Sequence, residues 1–302
     1  MISLKEGFYQ LVTNLRFNKK ERQKRRKDRK EKLKNDQIKS AKFGVSYSVW
    51  DGEELLEKSI MQIREHVDYI NVVWQEKSWT GLDSNLQLKE KLDKLVNIGL
   101  VDELIEYESL CNEIYQEPVK RNFGLQAARK AGCNYFMPMD TDEFYIAQEF
   151  EAAKNYMLEH DITNGFVLLK TYGSLPTRQW ILVEQTPSWV PFFSKINDCS
   201  SIDCDASYPY LTDISRKVSV TKCPKFLLLP FIAMHHMSYL RKDLVKKMKN
   251  SSAAKAYGES NFDGNAILQG LDKNSVEVSD RFMLLPLIKK WNEKEDEFNL
   301  ER

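Results

Sequence analysis

Residues 119–144, VKRNFGLQAARKAGCNYFMPMDTDEF, decide the fold of the chain. The first part is typical of a helix that stops near Gly132, because glycine is favoured just after a helix end. The apolar run CNYFMPM follows and predicts a buried strand. This strand runs into three carboxylates, Asp140, Asp142 and Glu143. A helix, a short connection and a strand in this order form one unit of a parallel α/β sheet.

The same pattern recurs upstream. The sequence predicts strands over 42–50, 68–74 and 101–107, and helices over 52–67 and 84–99. Strand and helix thus alternate four times, which predicts a Rossmann-like, mostly parallel sheet flanked by helices. Ligands of such sheets bind outside the carboxyl ends of the strands. Neither GxGxxG nor GxxxxGK[ST] follows the first strand, so the dinucleotide and P-loop fingerprints are absent.

The pattern weakens after residue 144. We expect a helix over 150–159 and a strand over 165–172. A late strand over 225–240 leads into a basic helix over 241–254. The segment 175–222 is rich in Pro, Ser, Asp and aromatic residues, so it predicts loops and short strands.

Composition narrows the class of protein. The chain has 302 residues, 42% of them hydrophobic and 11% aromatic, which is enough for one large domain or two small ones with a core. It has no apolar run of about 18 residues, as a membrane span needs, and its first residues lack the pattern of a signal peptide. The five cysteines are odd in number, scattered and without a CxxC pair, which is typical of reduced cysteines in a cytosolic protein.

Charge is distributed unevenly. Residues 19–34 carry eleven Lys/Arg and three acids, about +8, so the rest of the chain carries about −7 of the net +1. We predict a basic helical arm over 1–40. This arm could simply be solvated, or it could bind anionic lipid headgroups or nucleic acid. Lipid is favoured over nucleic acid because an amphipathic turn precedes the basic run. Binding to anionic liposomes, compared with binding to DNA, would separate these two.

Asp140 and Asp142 stand two residues apart just past a strand, so their side chains share a face if the strand geometry persists. Two carboxylates on one face repel each other unless they are solvated or a cation lies between them. Mg²⁺ or Mn²⁺ bound by such carboxylates commonly completes its shell with phosphates and water. By spacing alone, a solvated acidic turn and a metal site both remain open. Pro138 slightly disfavours a central strand, because proline has no backbone N–H to donate to the hydrogen bonds between strands.

Three further groups could join these carboxylates. The adjacent His235 and His236 should face opposite ways on a strand, so only one of them can join the site, and imidazole is a good ligand for Mn²⁺-like ions. Lys120 and Arg121 near a helix N-terminus suit an anion. The basic helix could neutralise a diphosphate with Arg241, Lys246 and Lys247. A structural histidine and a solvated basic helix face are the alternatives.

Three segments together resemble nucleotide-sugar glycosyltransferases of the GT-A fold, in particular bacterial family-2-like enzymes. They are YSVWDGEELLEKSI (47–60), the segment 119–144, and HHMSYLRKD (235–243). The resemblance covers roughly residues 42–250. It implies a GT-A domain over 41–275, with a nucleotide-binding half over 41–145 and an acceptor half over 146–275. Residues 276–302 then form a C-terminal tail.

The resemblance implies a role for individual residues. Asp140 and Asp142 would hold Mn²⁺ or Mg²⁺ on the diphosphate of the donor, with His236 as the third ligand and His235 as its alternative. Further contacts to the nucleotide sugar would come from these residues: Asp51, Trp74, Arg121, Asp140, Arg241 and Lys247. Asp51 replaces the asparagine that the family usually has. Trp74 lies at the end of the second strand, where the family usually has an aspartate, so the nucleotide base could stack on the Trp74 ring. The nucleotide stays undecided among UDP, GDP, dTDP and CMP.

An inverting enzyme needs a carboxylate base on the acceptor side. Asp213 is the candidate, with Asp205 and Glu184 as rivals, and a retaining enzyme would not need this base. The resemblance therefore implies a metal-dependent glycosyltransferase that acts on a glycan or lipid-linked acceptor of a surface polysaccharide or lipopolysaccharide. The enzyme would be cytoplasmic, with peripheral contact at the inner membrane through residues 1–40 and no nucleic-acid partner. The alternatives are a sugar-phosphate nucleotidyltransferase, which should carry a Gly-rich basic loop after the first strand, and a non-enzymatic protein that binds nucleic acid or an anionic surface.

Overall fold

The structure is a computed structural model that describes residues 40–78, 81–108, 116–174, 180–183, 188–219 and 224–238, together with the single positions 24, 27, 243, 246, 247 and 250. The chain divides into two units, Met1–Ala41 and Lys42–Arg302, and nearly all described residues belong to the second. Nearly all of the predicted basic arm, and the whole predicted tail over 276–302, lie outside the described residues. The domain boundaries within 41–302 stay predictions.

The first half of the second unit alternates strand and helix, as predicted. The strands are β1 (Phe43–Val49), β2 (Tyr69–Trp74), β3 (Glu103–Glu106) and β4 (Tyr135–Asp140). The helices are α1 (Glu53–Ile63), α2 (Leu88–Asn97) and α3 (Gln116–Lys130), and a 3₁₀ turn, Arg64–His66, follows α1. The glycines expected at helix ends, Gly99 and Gly132, have φ values of 77° and 84°, which only glycine adopts easily.

The second half contains more strand than the sequence predicts. It has the helix α4 (Ala147–Glu159), the strands β5 (Glu143–Phe144), β6 (Asn164–Ser174), β7 (Trp180–Val183), β8 (Trp189–Lys195) and β9 (Phe226–His236), and a 3₁₀ turn, Ile214–Arg216. Strand β8 has seven residues and lies where the composition predicts loops and short strands. Its inner residues, including Pro191, are buried, so tertiary packing has overridden a loop-like composition.

All nine strands form one sheet in the order β3-β2-β1-β4-β8-β6-β9-β5, with β7 paired to β6. Strands β1 to β4 pair in parallel. Strand β8 is antiparallel to β4 and β6, whereas β6 and β9 are parallel. The predicted α/β class, with a parallel sheet and flanking helices, is confirmed, and the second half adds antiparallel strands to it.

Strand β1 lies between β2 and β4, so the chain reverses its direction of travel across the sheet at the β1/β4 boundary. Such a switch point leaves a crevice beyond the carboxyl ends of the two strands, and ligands bind there. Strand β1 ends at Val49, and β4 ends at Asp140. Pro138 is accommodated because β4 pairs with β8 only at Tyr135 and Phe136, before the proline is reached.

Helix α3 packs very closely on β1 and β2 at Gly124. A Cβ atom on this residue would lie 1.8 Å from Ser46 Oγ, and the Asn71 side chain donates a hydrogen bond of 2.9 Å to the Gly124 carbonyl oxygen. Glycine therefore lets the helix backbone approach the sheet. This contact fixes the preceding turn of α3 over the carboxyl ends of β1 and β4.

Among the described residues, no helix is long and apolar enough to cross a membrane.

Candidate functional site

Asp140, the last residue of β4, is bound by two arginines. Arg121, from α3, donates from Nη2 to Asp140 Oδ1 at 3.0 Å. Arg216, from the 3₁₀ turn Ile214–Arg216, donates from Nη2 to Asp140 Oδ2 at 2.6 Å. Both arginines are buried. Burial alone would raise the pKa of Asp140, but the guanidinium groups of Arg121 and Arg216 outweigh it and lower this pKa to about 2.

Glu143 completes this group of charges. Its two carboxylate oxygens accept hydrogen bonds from both terminal nitrogens of Arg216, and Glu143 Oε2 also accepts the Asp140 backbone N–H at 3.0 Å. The side chains of Glu143 and Arg216 are 2% and 6% exposed, so water screens their pairing little. Burial raises the pKa of Glu143 although Arg216 opposes this change. The bidentate pair rigidly joins the Asp140–Phe144 turn to the 3₁₀ turn.

Asp142 is buried and lies beside the end of β9. Its Oδ2 atom accepts a hydrogen bond of 2.5 Å from Lys247 Nζ and lies 3.4 Å from His236 Nε2. Lys247 Nζ also donates to Ser238 Oγ at 2.9 Å. The Met237 backbone N–H donates to the Asp142 carbonyl oxygen at 2.7 Å. The turn that carries Asp142 and the adjacent histidines His235 and His236, which are far apart in sequence, thus lie next to each other in the fold.

The two adjacent histidines have different surroundings. Strands β5 and β9 pair Glu143 with His236 and Phe144 with His235. His236 is partly exposed next to Asp142, whereas His235 is 1% exposed. Burial, followed by the charge of Lys170, lowers the pKa of His235 to about 3, so this imidazole is neutral at neutral pH.

The loop after β1 forms the other side of the site. Asp51 Oδ1 lies 3.6 Å from Lys246 Nζ, and the Asp51 carbonyl oxygen accepts a hydrogen bond of 3.2 Å from Thr141 Oγ1. Lys246 Nζ also lies 4.7 Å from the centre of the Trp50 ring. These contacts connect the loops that follow β1 and β4 across the switch point. Asp51 therefore lies at the predicted end of the sheet.

Lys120 anchors α3 to the end of β1. Its Nζ atom donates a hydrogen bond of 3.0 Å to the Val49 carbonyl oxygen, and the side chain is buried. Burial lowers the pKa of Lys120 to about 8. The sequence pattern suggests Lys120 and Arg121 as anion-binding residues, but the structure gives both of them partners within the protein.

Trp74, at the end of β2, is 4% exposed. Stacking of a nucleotide base on this ring stays a prediction, and it would require an open ring face. Arg241 and Glu184, which were also expected near the site, lie outside the described residues.

Asp213, the candidate base, is exposed and lies next to Arg216. Its Oδ1 atom accepts hydrogen bonds from the backbone N–H and the hydroxyl of Ser215, at 2.9 and 2.8 Å, and so caps the 3₁₀ turn. Its Oδ2 atom lies 3.5 Å from Arg216 Nε. Arg216 therefore contacts both Asp140 and Asp213. The rival Asp205 is exposed, and its backbone N–H donates to the side chain of Asp203.

Within the described part of the chain, no three His, Cys, Asp or Glu side chains form a group that could hold a metal ion by themselves. Arg216 contacts both Asp140 and Glu143, but no sequence pattern indicates it as a residue of the site. It lies in LTDISRKV outside any recognisable motif, and its partners lie 73 and 76 positions away, so no local pattern could find it.

The comparisons with known proteins are limited to weak structural similarity. No family model matches the chain, and no curated protein matches it. Among solved structures, TarS 1–349 of S. aureus in complex with UDP is similar at a TM-score of 0.32 and 16% identity, over 43% of this chain and 36% of that chain. GalNAc-T7 with UDP, GalNAc and Mn²⁺ is similar at a TM-score of 0.36 and 12% identity, over 65% of this chain and 44% of that chain. This chain thus spans less than half the length of either structure, and at these scores neither similarity carries an argument about function.

Proposed function

We propose that this chain is a glycosyltransferase that moves a sugar from a nucleotide-sugar donor to an acceptor. One observation carries the proposal. Two carboxylates, Asp140 and Asp142, gather with cationic side chains at the carboxyl ends of β1 and β4, where the strand order reverses. In open α/β sheets this is the place where nucleotides bind. The sequence resemblance of residues 47–60, 119–144 and 235–243 to GT-A enzymes supports the same assignment.

The cations suit a diphosphate leaving group. Cleavage of the bond between the sugar and the diphosphate leaves negative charge on phosphate oxygens, and positioned cations in a site with little water stabilise that charge. Lys247 pairs with Asp142, in the loop after β4, and Lys246 lies near Asp51, in the loop after β1. Arg121 adds a charge from α3, and Arg241, outside the described residues, stays a prediction for the same role. In this proposal, Asp51 accepts hydrogen bonds from the nucleoside.

Asp142 and His236 fit a divalent cation. The Lys247 ammonium already occupies a cation position on Asp142 Oδ2, and His236 Nε2 lies 3.4 Å from that oxygen. Mg²⁺ that bridges phosphates commonly needs only one or two protein carboxylates, and imidazole suits Mn²⁺-like ions. Bound Mn²⁺ or Mg²⁺ would place positive charge on the diphosphate oxygens. Asp140, the other carboxylate ligand that the resemblance implies, would have to release Arg121 or Arg216 to join.

On the acceptor side, Asp213 is the base in our proposal. It is exposed, and Arg216 connects it to Asp140, so a hydroxyl above the 3₁₀ turn could pass its proton to Asp213 Oδ2 as it attacks the sugar. This assignment applies to an inverting reaction. We propose a glycan or lipid-linked acceptor of a surface polysaccharide or lipopolysaccharide, with residues 1–40 in contact with an anionic membrane at its cytoplasmic side.

Release of nucleoside diphosphate from a panel of nucleotide sugars tests the proposal. With Mn²⁺ present and no acceptor, the full chain should hydrolyse one nucleotide class slowly, and chelation of the metal should lower the rate at least about tenfold, in line with the loss of an electrostatic group at the leaving group. Asp213→Asn should also lower this release, because the water that replaces the acceptor hydroxyl would pass its proton to the same carboxylate. Absence of release from every UDP, GDP, dTDP and CMP sugar, with and without metal, would count against the proposed function.

A further inference from the structure

We propose that Lys247 is an internal cation that holds Asp142 before substrate binds and is exchanged for a divalent cation when the donor arrives. This inference rests on the proposed function, because it concerns the metal and diphosphate of the same site. It makes Lys247 a positioning residue with two successive partners, first the Asp142 carboxylate and then the phosphates of the donor.

The contacts of Asp142 are the starting point. The side chain of Asp142 is 3% exposed, so an ionised carboxylate there needs a positive or hydrogen-bonding partner. Lys247 Nζ meets this need at 2.5 Å from Oδ2 and has Ser238 Oγ as a second contact at 2.9 Å. His236 Nε2 approaches the same carboxylate oxygen at 3.4 Å. One oxygen is therefore the meeting point of an ammonium group and an imidazole nitrogen.

Lys247 and a divalent cation cannot share this oxygen without strong repulsion. A cation bound to both Asp142 Oδ2 and His236 Nε2 would lie within a few ångströms of the ammonium, and like charges that close repel strongly where water is scarce. Metal binding at Asp142 therefore requires Lys247 to leave. The departing ammonium needs a new negative partner, and a diphosphate bound to the same metal supplies one.

A coupling between metal and nucleotide follows from this exchange. Without nucleotide, Lys247 competes with the metal for Asp142 and weakens metal binding. With nucleotide, the displaced Lys247 pairs with phosphate and strengthens the complex. By linkage, metal and nucleotide must then raise each other's affinity by the same factor. A lysine that served only as a fixed phosphate contact would produce no such penalty on metal binding in the absence of nucleotide.

Lys246 provides a matched control. It is the neighbouring residue and carries the same charge, but its Nζ atom lies 3.6 Å from Asp51 Oδ1 and over the Trp50 ring rather than on Asp142. Removal of either lysine changes the net charge near the site equally. Only removal of Lys247 takes a competing cation away from Asp142 Oδ2.

Titration of the full chain with Mn²⁺, followed by the electron paramagnetic resonance signal of the free ion, tests the inference. Without nucleotide, Lys247→Met should bind Mn²⁺ about tenfold more tightly than the native chain, within the usual range of coupling factors, and Lys246→Met should bind it as the native chain does. With saturating UDP or GDP, the native chain should gain more affinity for Mn²⁺ than Lys247→Met gains. Lys247→Gln, which keeps a hydrogen-bond donor without the charge, should behave as Lys247→Met does and covers the case in which the Met variant fails to fold.

The outcomes separate the two proposals. Equal or weaker Mn²⁺ binding by both Lys247 variants without nucleotide overturns the exchange and leaves the proposed function intact. Uptake of no Mn²⁺ by the native chain, with either nucleotide or without, overturns the metal site of the proposed function itself. An equal gain for Lys246→Met would show a general effect of charge and would also overturn the exchange.

Discussion

Replacing Asp142 by Asn is expected to lower the rate of sugar transfer by about 10²–10³-fold, the usual effect of removing one preorganised electrostatic group from an active site. Asparagine has the same shape but no charge, so it fits the buried position and still accepts a hydrogen bond from Lys247. It cannot hold a divalent cation beside His236 as a carboxylate does. The measurement is the rate of nucleoside diphosphate release with Mn²⁺ and the best nucleotide sugar, for folded native and variant chains.

Asp161→Asn is the matched control for this change. Asp161 is an exposed residue that pairs with Lys195 at 3.5 Å, and its φ of 50° is a conformation that asparagine tolerates well. The same chemical change at this position should leave the rate at the native level. A folded Asp142→Asn chain that releases nucleotide as fast as Asp161→Asn would contradict the assigned role of Asp142.

Replacing Arg216 by Met is expected to lower the free energy of unfolding by about 3–5 kcal/mol, because one partner of a buried ion pair is removed and the other stays buried without compensation. Glu143 would lose both guanidinium contacts, and Asp140 would lose the contact at 2.6 Å. Urea denaturation, compared with that of the native chain, measures the change.

Two further variants isolate the cause of this loss. Arg216→Met combined with Glu143→Gln should be more stable than Arg216→Met alone, because the uncompensated carboxylate is gone. Arg64→Met removes a partly exposed arginine that pairs with Asp102 at 2.6 Å, and such a pair contributes only about 0–1 kcal/mol. A loss for Arg216→Met as small as that for Arg64→Met would show that the buried network contributes little.

The first half of the fold could be predicted because its patterns are local. Alternating apolar runs, amphipathic helices and glycines such as Gly99 and Gly132 specify strands β1 to β4 and helices α1 to α3 one after another. The position of Asp140 and Asp142 at a carboxyl end then follows from general properties of parallel sheets. Short strands are expected over 175–222, but the position of strand β8 could not be predicted, because Pro191 and its loop-like surroundings conceal a strand that is stabilised mainly by burial against β4 and β6.

The partners of the site residues could not be predicted in the same way. Arg216 reaches Glu143 across 73 positions and Lys247 reaches Asp142 across 105, so no spacing in the sequence indicates either contact. The burial of Trp74 likewise depends on what the fold places over its ring. The sequence could indicate Asp140, Asp142 and Lys247 as candidate site residues but not Arg216. Only the three-dimensional packing pairs Asp140 with two arginines and Asp142 with Lys247.

A thermal-shift measurement with nucleotides and Mn²⁺ tests the central claim most directly, because any ligand that binds the folded chain raises its melting temperature by mass action. We predict that one nucleoside diphosphate or nucleotide sugar together with Mn²⁺ raises the melting temperature of the native chain more than the sum of the separate shifts, and that Asp142→Asn loses this excess. If no nucleotide, with or without Mn²⁺, changes the melting temperature at millimolar concentration, a nucleotide-sugar site at the β1/β4 switch point is contradicted.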